Sequence, residues 1–168
     1  MTRNSVLIKR ASAADAAGIA AVMETIAAAR VYSAIDRAWT AEEQARYLTS
    51  LLPTEAVHVA IDPVEGIVGL QTMDRFSPGM PSMAHVGQVG TFLLPEWRRR
   101  GIGRQLWSST CAFARDAGYG KLVIQVRGTN TSAQAFYQGL GFAVCGRFAR
   151  QVIIDGVEDD EVLMEFFV

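Results

Sequence analysis

The sequence predicts a single mixed α/β domain, and three observations carry that reading. The chain has 168 residues, of which 50% are apolar and 20% charged, enough to close one core without a disulfide or metal and too apolar for disorder. Segments with the two-residue period of strands alternate with segments at helical spacing. The last third ends on two long strand-like runs joined by Asp155-Gly156, a type I′ hairpin signal. No internal repeat or linker divides the chain, so residues 1–168 read as one domain.

The elements follow in order. Ser5 to Arg10 reads as an opening strand with Val6 and Ile8 on one side. Ala13 to Ala29 reads as a helix, with Ile19, Val22, Met23 and Ile26 at helical spacing. Arg30 to Trp39 is a connection. A second helix begins at Thr40, which with Glu43 has the spacing of a capping box, and stops before Pro53. Ala56–Ile61 and Ile67–Asp74 read as strands joined by the turn Asp62–Gly66. Arg75–Met83, with Pro78, Gly79 and Pro81, reads as a loop, and His85–Leu94 as a strand interrupted by Pro95. A helix from about Gly103 to Ala117 places Leu106, Trp107, Thr110, Phe113 and Ala114 on its apolar side. Leu122–Val126 reads as a strand buried on both faces. Ser132–Gln138 reads as a short helix stopped by Gly139 and Gly141, and Phe142–Ile154 with Val157–Phe167 as the closing hairpin.

Composition excludes several classes of function. Sixteen basic and seventeen acidic residues give a net charge of −1, so no global field attracts nucleic acid or an anionic membrane. No apolar stretch approaches the roughly 18 residues of a membrane span, and no secretory leader is visible. Cys111 and Cys145 have neither zinc nor redox spacing and read as two buried, reduced thiols; His58 and His85 are isolated. A cytoplasmic protein without a metal is the expectation.

Chemistry concentrates in Leu94-Pro95-Glu96-Trp97-Arg98-Arg99-Arg100-Gly101-Ile102-Gly103-Arg104, which joins a strand to a helix. Free N–H groups at a helix start, the helix dipole, two glycines and four arginines make a site for phosphate or pyrophosphate. Neither the P-loop nor the Rossmann pattern is met, since no Lys-Ser or Lys-Thr follows the glycines and Leu106 stands where a third glycine is required.

Arg98-x-x-Gly101-x-Gly103 after Leu93-Leu94-Pro95 resembles the acetyl-CoA pyrophosphate loop of the GNAT N-acetyltransferases. Asn130-x-x-Ala133-x-x-x-Tyr137, followed by Leu140-Gly141-Phe142, resembles that family's second half-motif. The likeness is close from about His85 to Phe142; residues 1–84 match only in the order of elements. It implies a mostly antiparallel sheet of about six to seven strands flanked by about four helices, with two splayed parallel strands forming the cofactor cleft. Those strands would be His85–Leu94 and Leu122–Val126. Backbone groups of Leu93 and Leu94 would pair with the pantetheine, and an N–H near Phe92 or Leu93 would polarise the thioester carbonyl.

The resemblance further implies that Arg98, Arg99, Arg100, Gly101, Ile102, Gly103 and Arg104 hold the pyrophosphate. Asn130 would bond the pantetheine arm or hold the following loop, and Tyr137 would protonate the leaving thiolate. Many family members carry a Glu on the strand before the loop; here His85, Gln88 and Thr91 stand there without a carboxylate. His85 is the candidate base, with Glu96 the second. The acceptor site is expected from the first two helices, the Arg75–Met83 loop and the final hairpin, where the acidic run Glu158-Asp159-Asp160-Glu161 is either solvated charge or an attraction for a cationic amine. The implied activity is acetyl transfer from acetyl-CoA to a primary amine, on a small molecule or a protein, by direct attack in a ternary complex. The alternative is a non-catalytic acyl-CoA-binding or regulatory domain. A nucleic-acid contact at Arg98–Arg100 is disfavoured by the charge balance, and edge strands leave room for a homodimer.

Overall fold

A computed structural model describes residues 6–168. Seven strands form one sheet in the order β1-β2-β3-β4-β5-β7-β6: β1 Leu7–Arg10, β2 Ala56–Asp62, β3 Gly66–Arg75, β4 Val86–Leu93, β5 Lys121–Arg127, β6 Ala143–Ile154 and β7 Val157–Phe167. Every neighbouring pair is antiparallel except β4 and β5. The four helices are α1 Ala16–Ala28, α2 Ala41–Ser50, α3 Ile102–Asp116 and α4 Thr131–Gln138. Ser5, the first residue of the expected opening strand, lies outside the described residues, and β1 spans the remainder of that expectation from Leu7.

Local chemistry explains where the elements begin and turn. Ala13–Asp15 forms a 3-10 turn before α1, because Asp15 turns its carboxylate back onto the Ser12 N–H (2.8 Å). At α2, the Glu43 N–H donates to the Thr40 hydroxyl at 3.2 Å and the Thr40 N–H to the Glu43 carboxylate at 2.8 Å, completing the capping box. The Asp62 carboxylate accepts from the Val64 and Glu65 N–H groups, both at 2.9 Å, and so closes the β2–β3 turn. Asp155 (φ 51°) and Gly156 (φ 79°) both take positive φ, as a type I′ turn requires.

The core has two sides. Ile19, Val22, Met23 and Ile26 of α1 pack with Leu48 of α2 against Val57, Val59 and Leu70. On the opposite face Leu106 of α3 is fully buried against Ala60 and Val68, and Trp107 packs against Phe142 and Phe166. Three expectations are corrected. In β5 only Leu122, Ile124 and Val126 of the expected buried run are fully buried, while Val123 and Gln125 are half-buried, so the strand alternates. Phe113 is only partly buried, and Cys111 takes the inner place on α3. Cys111 is buried as expected, but Cys145 is exposed, because β6 lies at the sheet edge. Among the described residues no helix is long and apolar enough to cross a membrane.

Candidate active site

The sheet opens at its one parallel junction. β4 and β5 pair only from Val86–Lys121 to Gln88–Val123, and beyond that row the strands have no register with each other. Strand alternation decides which β4 groups face the opening. The Leu94 N–H donates to the Val68 carbonyl at 3.0 Å, and the Phe76 N–H to the Val86 carbonyl at 3.0 Å, so even-numbered positions direct their backbone at β3. The His85 carbonyl accepts from Lys121 N–H at 3.2 Å on the other side, so odd-numbered positions face β5. Val89, Thr91 and Leu93 therefore present backbone groups to the gap. Phe92 and Leu94, named from the sequence as backbone donors, do not: their N–H groups face β3.

The arginine loop lies at the mouth of this gap. Pro95–Trp97 makes one 3-10 turn, and Gly101 caps α3 with φ 81°, a left-handed conformation that a side chain would strain. The first helical bond runs from the Gln105 N–H to the Gly101 carbonyl at 3.2 Å, which leaves the N–H groups of Ile102, Gly103 and Arg104 free of helical partners. A Cβ on Gly103 would stand 3.0 Å from the Phe136 ring, so the small residue lets α3 approach α4.

The four arginines are arranged differently. The Arg98 Nε–H donates to the Leu93 carbonyl at 3.1 Å, and its guanidinium lies 3.7 Å from the centre of the Tyr32 ring. Arg100 lies over Trp97 at 4.6 Å, while Arg99 and Arg104 are exposed. None of the four forms an ion pair among the described residues, so their charge is not neutralised by the protein. Glu96, the second candidate base, is exposed beside them and forms no ion pair among the described residues. A doubly anionic pyrophosphate fits this cradle in sign and in donor supply.

Tyr137 lies deeper. It is buried, and its hydroxyl is 2.7 Å from Thr91 Oγ1. Gln71 on β3, directly opposite Thr91, donates from Nε2 to the same oxygen at 2.7 Å. With the amide donating to it, the Thr91 hydroxyl has its own hydrogen to give, and the Tyr137 oxygen is within reach. With Thr91 as the donor of that bond, Tyr137 keeps its own proton for another acceptor. Burial, opposed by the bonds to Thr91, pushes the phenol up to about 12, so it is protonated at neutral pH and can act as an acid.

Asn130 caps α4 by accepting from the Ala133 N–H at 3.1 Å and donates to the Tyr32 carbonyl at 2.8 Å. It thus holds the loop whose Tyr32 ring carries Arg98. His85 is not brought to the site. It is exposed just before β4, and six residues of strand, on the order of 20 Å, separate it from Thr91. Three of the four carboxylates of the acidic run, those of Glu158, Asp159 and Asp160, are paired with arginines elsewhere. Asp159 forms a buried pair with Arg127 at 2.8 Å, Asp160 accepts from Arg147 at 2.5 Å, and Glu161 is buried.

One part of the site escaped the sequence reading. The Gln71–Thr91 pair depends on strand register, which no local motif encodes. A cavity of about 380 Å³ lies on the α1–α2 side, where the sequence placed part of the acceptor site; it is bounded by Phe92 and carries Asp74 and Tyr47 on its wall, and neither residues 76–83 nor the closing hairpin line it. The Tyr47 hydroxyl donates to Asp74 Oδ1 at 2.5 Å.

A sheet whose single parallel pair parts beside an arginine-flanked helix start defines the GNAT class of acyl-transfer folds. Residues 28–142 match the family model described as the Acetyltransferase (GNAT) family, and the chain belongs to it. It is 38% identical to N-acetyltransferase 8 of Homo sapiens over 56 residues, 33% of this chain and 25% of that protein. It is 42% identical to the streptothricin acetyltransferase of Streptomyces lavendulae over 52 residues, 31% of this chain and 28% of that one. These matches thus span only about a quarter of each curated relative. Its fold is similar to that of a GCN5-related N-acetyltransferase from Kribbella flavida (TM-score 0.84, 27% identity, 99% of this chain and 100% of that one). It is also similar to that of a phosphinothricin acetyltransferase from Sinorhizobium meliloti in complex with AcCoA (TM-score 0.88, 21% identity, 98% and 89%).

Proposed function

We propose that the protein transfers an acetyl group from acetyl-CoA to a primary amine by direct attack in a ternary complex. The observation that carries this reading is the Tyr137 hydroxyl, buried beside the β4–β5 gap and hydrogen-bonded to Thr91, whose own hydrogen is not needed by Gln71. Acetyl-CoA, when bound, supplies the activated acetyl group and a thiol leaving group. The chain's residues do the rest. Ile102, Gly103 and Arg104 offer N–H groups, and Arg98–Arg100 with Arg104 offer charge, to the pyrophosphate. Thr91 or Leu93 turns an N–H into the gap, where it stabilises negative charge developing on the acyl oxygen without reorganisation. The amine attacks as its free base, the ammonium proton having gone to solvent; as the C–S bond breaks Tyr137 gives the proton at its phenol oxygen to the departing sulfur, and the proton shed by the amide-forming nitrogen restores the phenol.

Two measurements test the reading. Titration calorimetry should give saturable binding of acetyl-CoA that weakens when Arg98 is changed to Ala. Incubation with acetyl-CoA and a panel of primary amines should release CoA thiol at a rate that depends on the amine. Saturable binding with no amine-dependent thiol release would make the protein an acyl-CoA-binding domain instead.

A further inference from the structure

We propose that the acceptor is a primary amine on a compact apolar body: the cavity between α1, α2 and β2–β4 holds that body, and Asp74 receives the ammonium. The inference rests on the acetyl-transfer reading and gives it a substrate class. At about 380 Å³ the cavity is of small-molecule size, and Ile19, Met23, Val57, Leu70 and Phe92 make its walls apolar. Trp39 and Tyr47, edge to face at 5.5 Å, add an aromatic corner beside Asp74.

Two charged side chains reach this wall, Asp74 and Arg37. Arg37 is engaged by Glu43, with contacts of 3.2 and 3.4 Å. Asp74 has no cation in ion-pair range among the described residues, and its only hydrogen bond there comes from Tyr47 to Oδ1. A carboxylate held among apolar groups without a counter-ion is costly, and a cationic ligand relieves that cost. Burial, with Glu55 nearby and partly offset by Tyr47, accordingly holds the Asp74 carboxyl above the usual carboxylate range. An anionic ligand would be repelled there, and a neutral one would leave the charge unpaired.

The register ties the cavity to the gap. Asp74 pairs with Gln88, the last β4 residue in register with β5, so it stands at the closed end of the opening. Thr91, which holds Tyr137, is three residues further along β4, on the order of 10 Å. Between these rows lies Gly90, opposite Thr72. A Cβ there would meet the Thr72 hydroxyl and the Phe92 ring at 3.1 Å, so the bare glycine keeps the strand between cavity and gap uncovered.

The test uses the full chain with 2-phenylethylamine as the apolar probe and spermidine and free lysine as polar amines. Wild type should acetylate 2-phenylethylamine in preference to both. Asp74→Asn should raise KM for it about tenfold or more while KM for acetyl-CoA changes less than about twofold. Ala38→Trp, which narrows the cavity from the α1–α2 connection, should lose 2-phenylethylamine and keep acetyl-CoA binding; Ala38→Leu replaces it if the larger variant fails to fold. Turnover of spermidine or lysine with none of 2-phenylethylamine overturns this proposal and leaves acetyl transfer standing. So does a KM for the probe unmoved by either substitution. Asp74-dependent binding of 2-phenylethylamine by calorimetry, with no amine turned over, supports the amine site and overturns the acetyl-transfer reading.

Discussion

At the residue scale the account turns on direction of proton donation. Tyr137 is useful as an acid only if its hydrogen is not consumed by Thr91, and Gln71, donating to Thr91 from the other side, leaves the Thr91 hydrogen available for the Tyr137 oxygen. Thr91→Val should therefore lower kcat about tenfold or more with little change in KM for acetyl-CoA, and Thr91→Ser should restore most of the loss. Steady-state kinetics on the three proteins decides it. A packing role alone would make valine, the closer isostere, the better-tolerated change. Tyr137 and Asn130 were legible in the sequence because they share one short helix at fixed spacing. Thr91 stands out in the sequence only as a position without a carboxylate, and no local signal marks Gln71. Twenty residues separate the two along the chain, and only the β3–β4 register makes them partners.

At the scale of elements, the strand–loop–helix from β4 to α3 carries the anion site. Gly101 holds φ 81° at the helix start, where any other residue is strained by roughly 1–3 kcal/mol. Gly101→Ala should cost that amount in urea unfolding and weaken acetyl-CoA binding in calorimetry; an unchanged midpoint and affinity would contradict it. Local signals placed these elements well: the capping box fixed the start of α2, and the Asp-Gly pair fixed the β6–β7 turn. What local signals could not place was which way a strand's backbone faces. Phe92 and Leu94 looked as suitable as Leu93 for meeting a cofactor until the bonds to Val68 and Val86 showed the alternation. His85 failed for the same reason of scale, since belonging to the same run as Thr91 does not put both ends of a strand at one site.

For the whole molecule, charge is organised by pairing rather than by total. The acidic stretch of β7 is tied to Arg127, Arg147 and Arg150, so it braces the hairpin instead of attracting substrate. This makes stability acid-sensitive. Burial and nearby Arg10 lower the His58 pKa below its ordinary value near 6.5, so its contribution is present above about pH 6.5 and lost as pH falls through the folded value. Burial alone would raise the Asp159 carboxyl, but bonds from Thr129 and Arg127 outweigh it and hold it low. Its contribution is present above the usual carboxylate range and lost as pH falls through the depressed value. Urea unfolding should show stability declining from about pH 6.5 downward and again below about pH 4; a flat profile from pH 8 to 4 would contradict this. The central claim, that this chain transfers an acetyl group with Tyr137 as the acid, is tested most directly by CoA thiol release from acetyl-CoA with an amine acceptor, comparing wild type with Tyr137→Phe. Wild type should release thiol in an amine-dependent way, and Tyr137→Phe should have a kcat at least about a hundredfold lower with acetyl-CoA affinity nearly unchanged. Equal rates for the two proteins would contradict it.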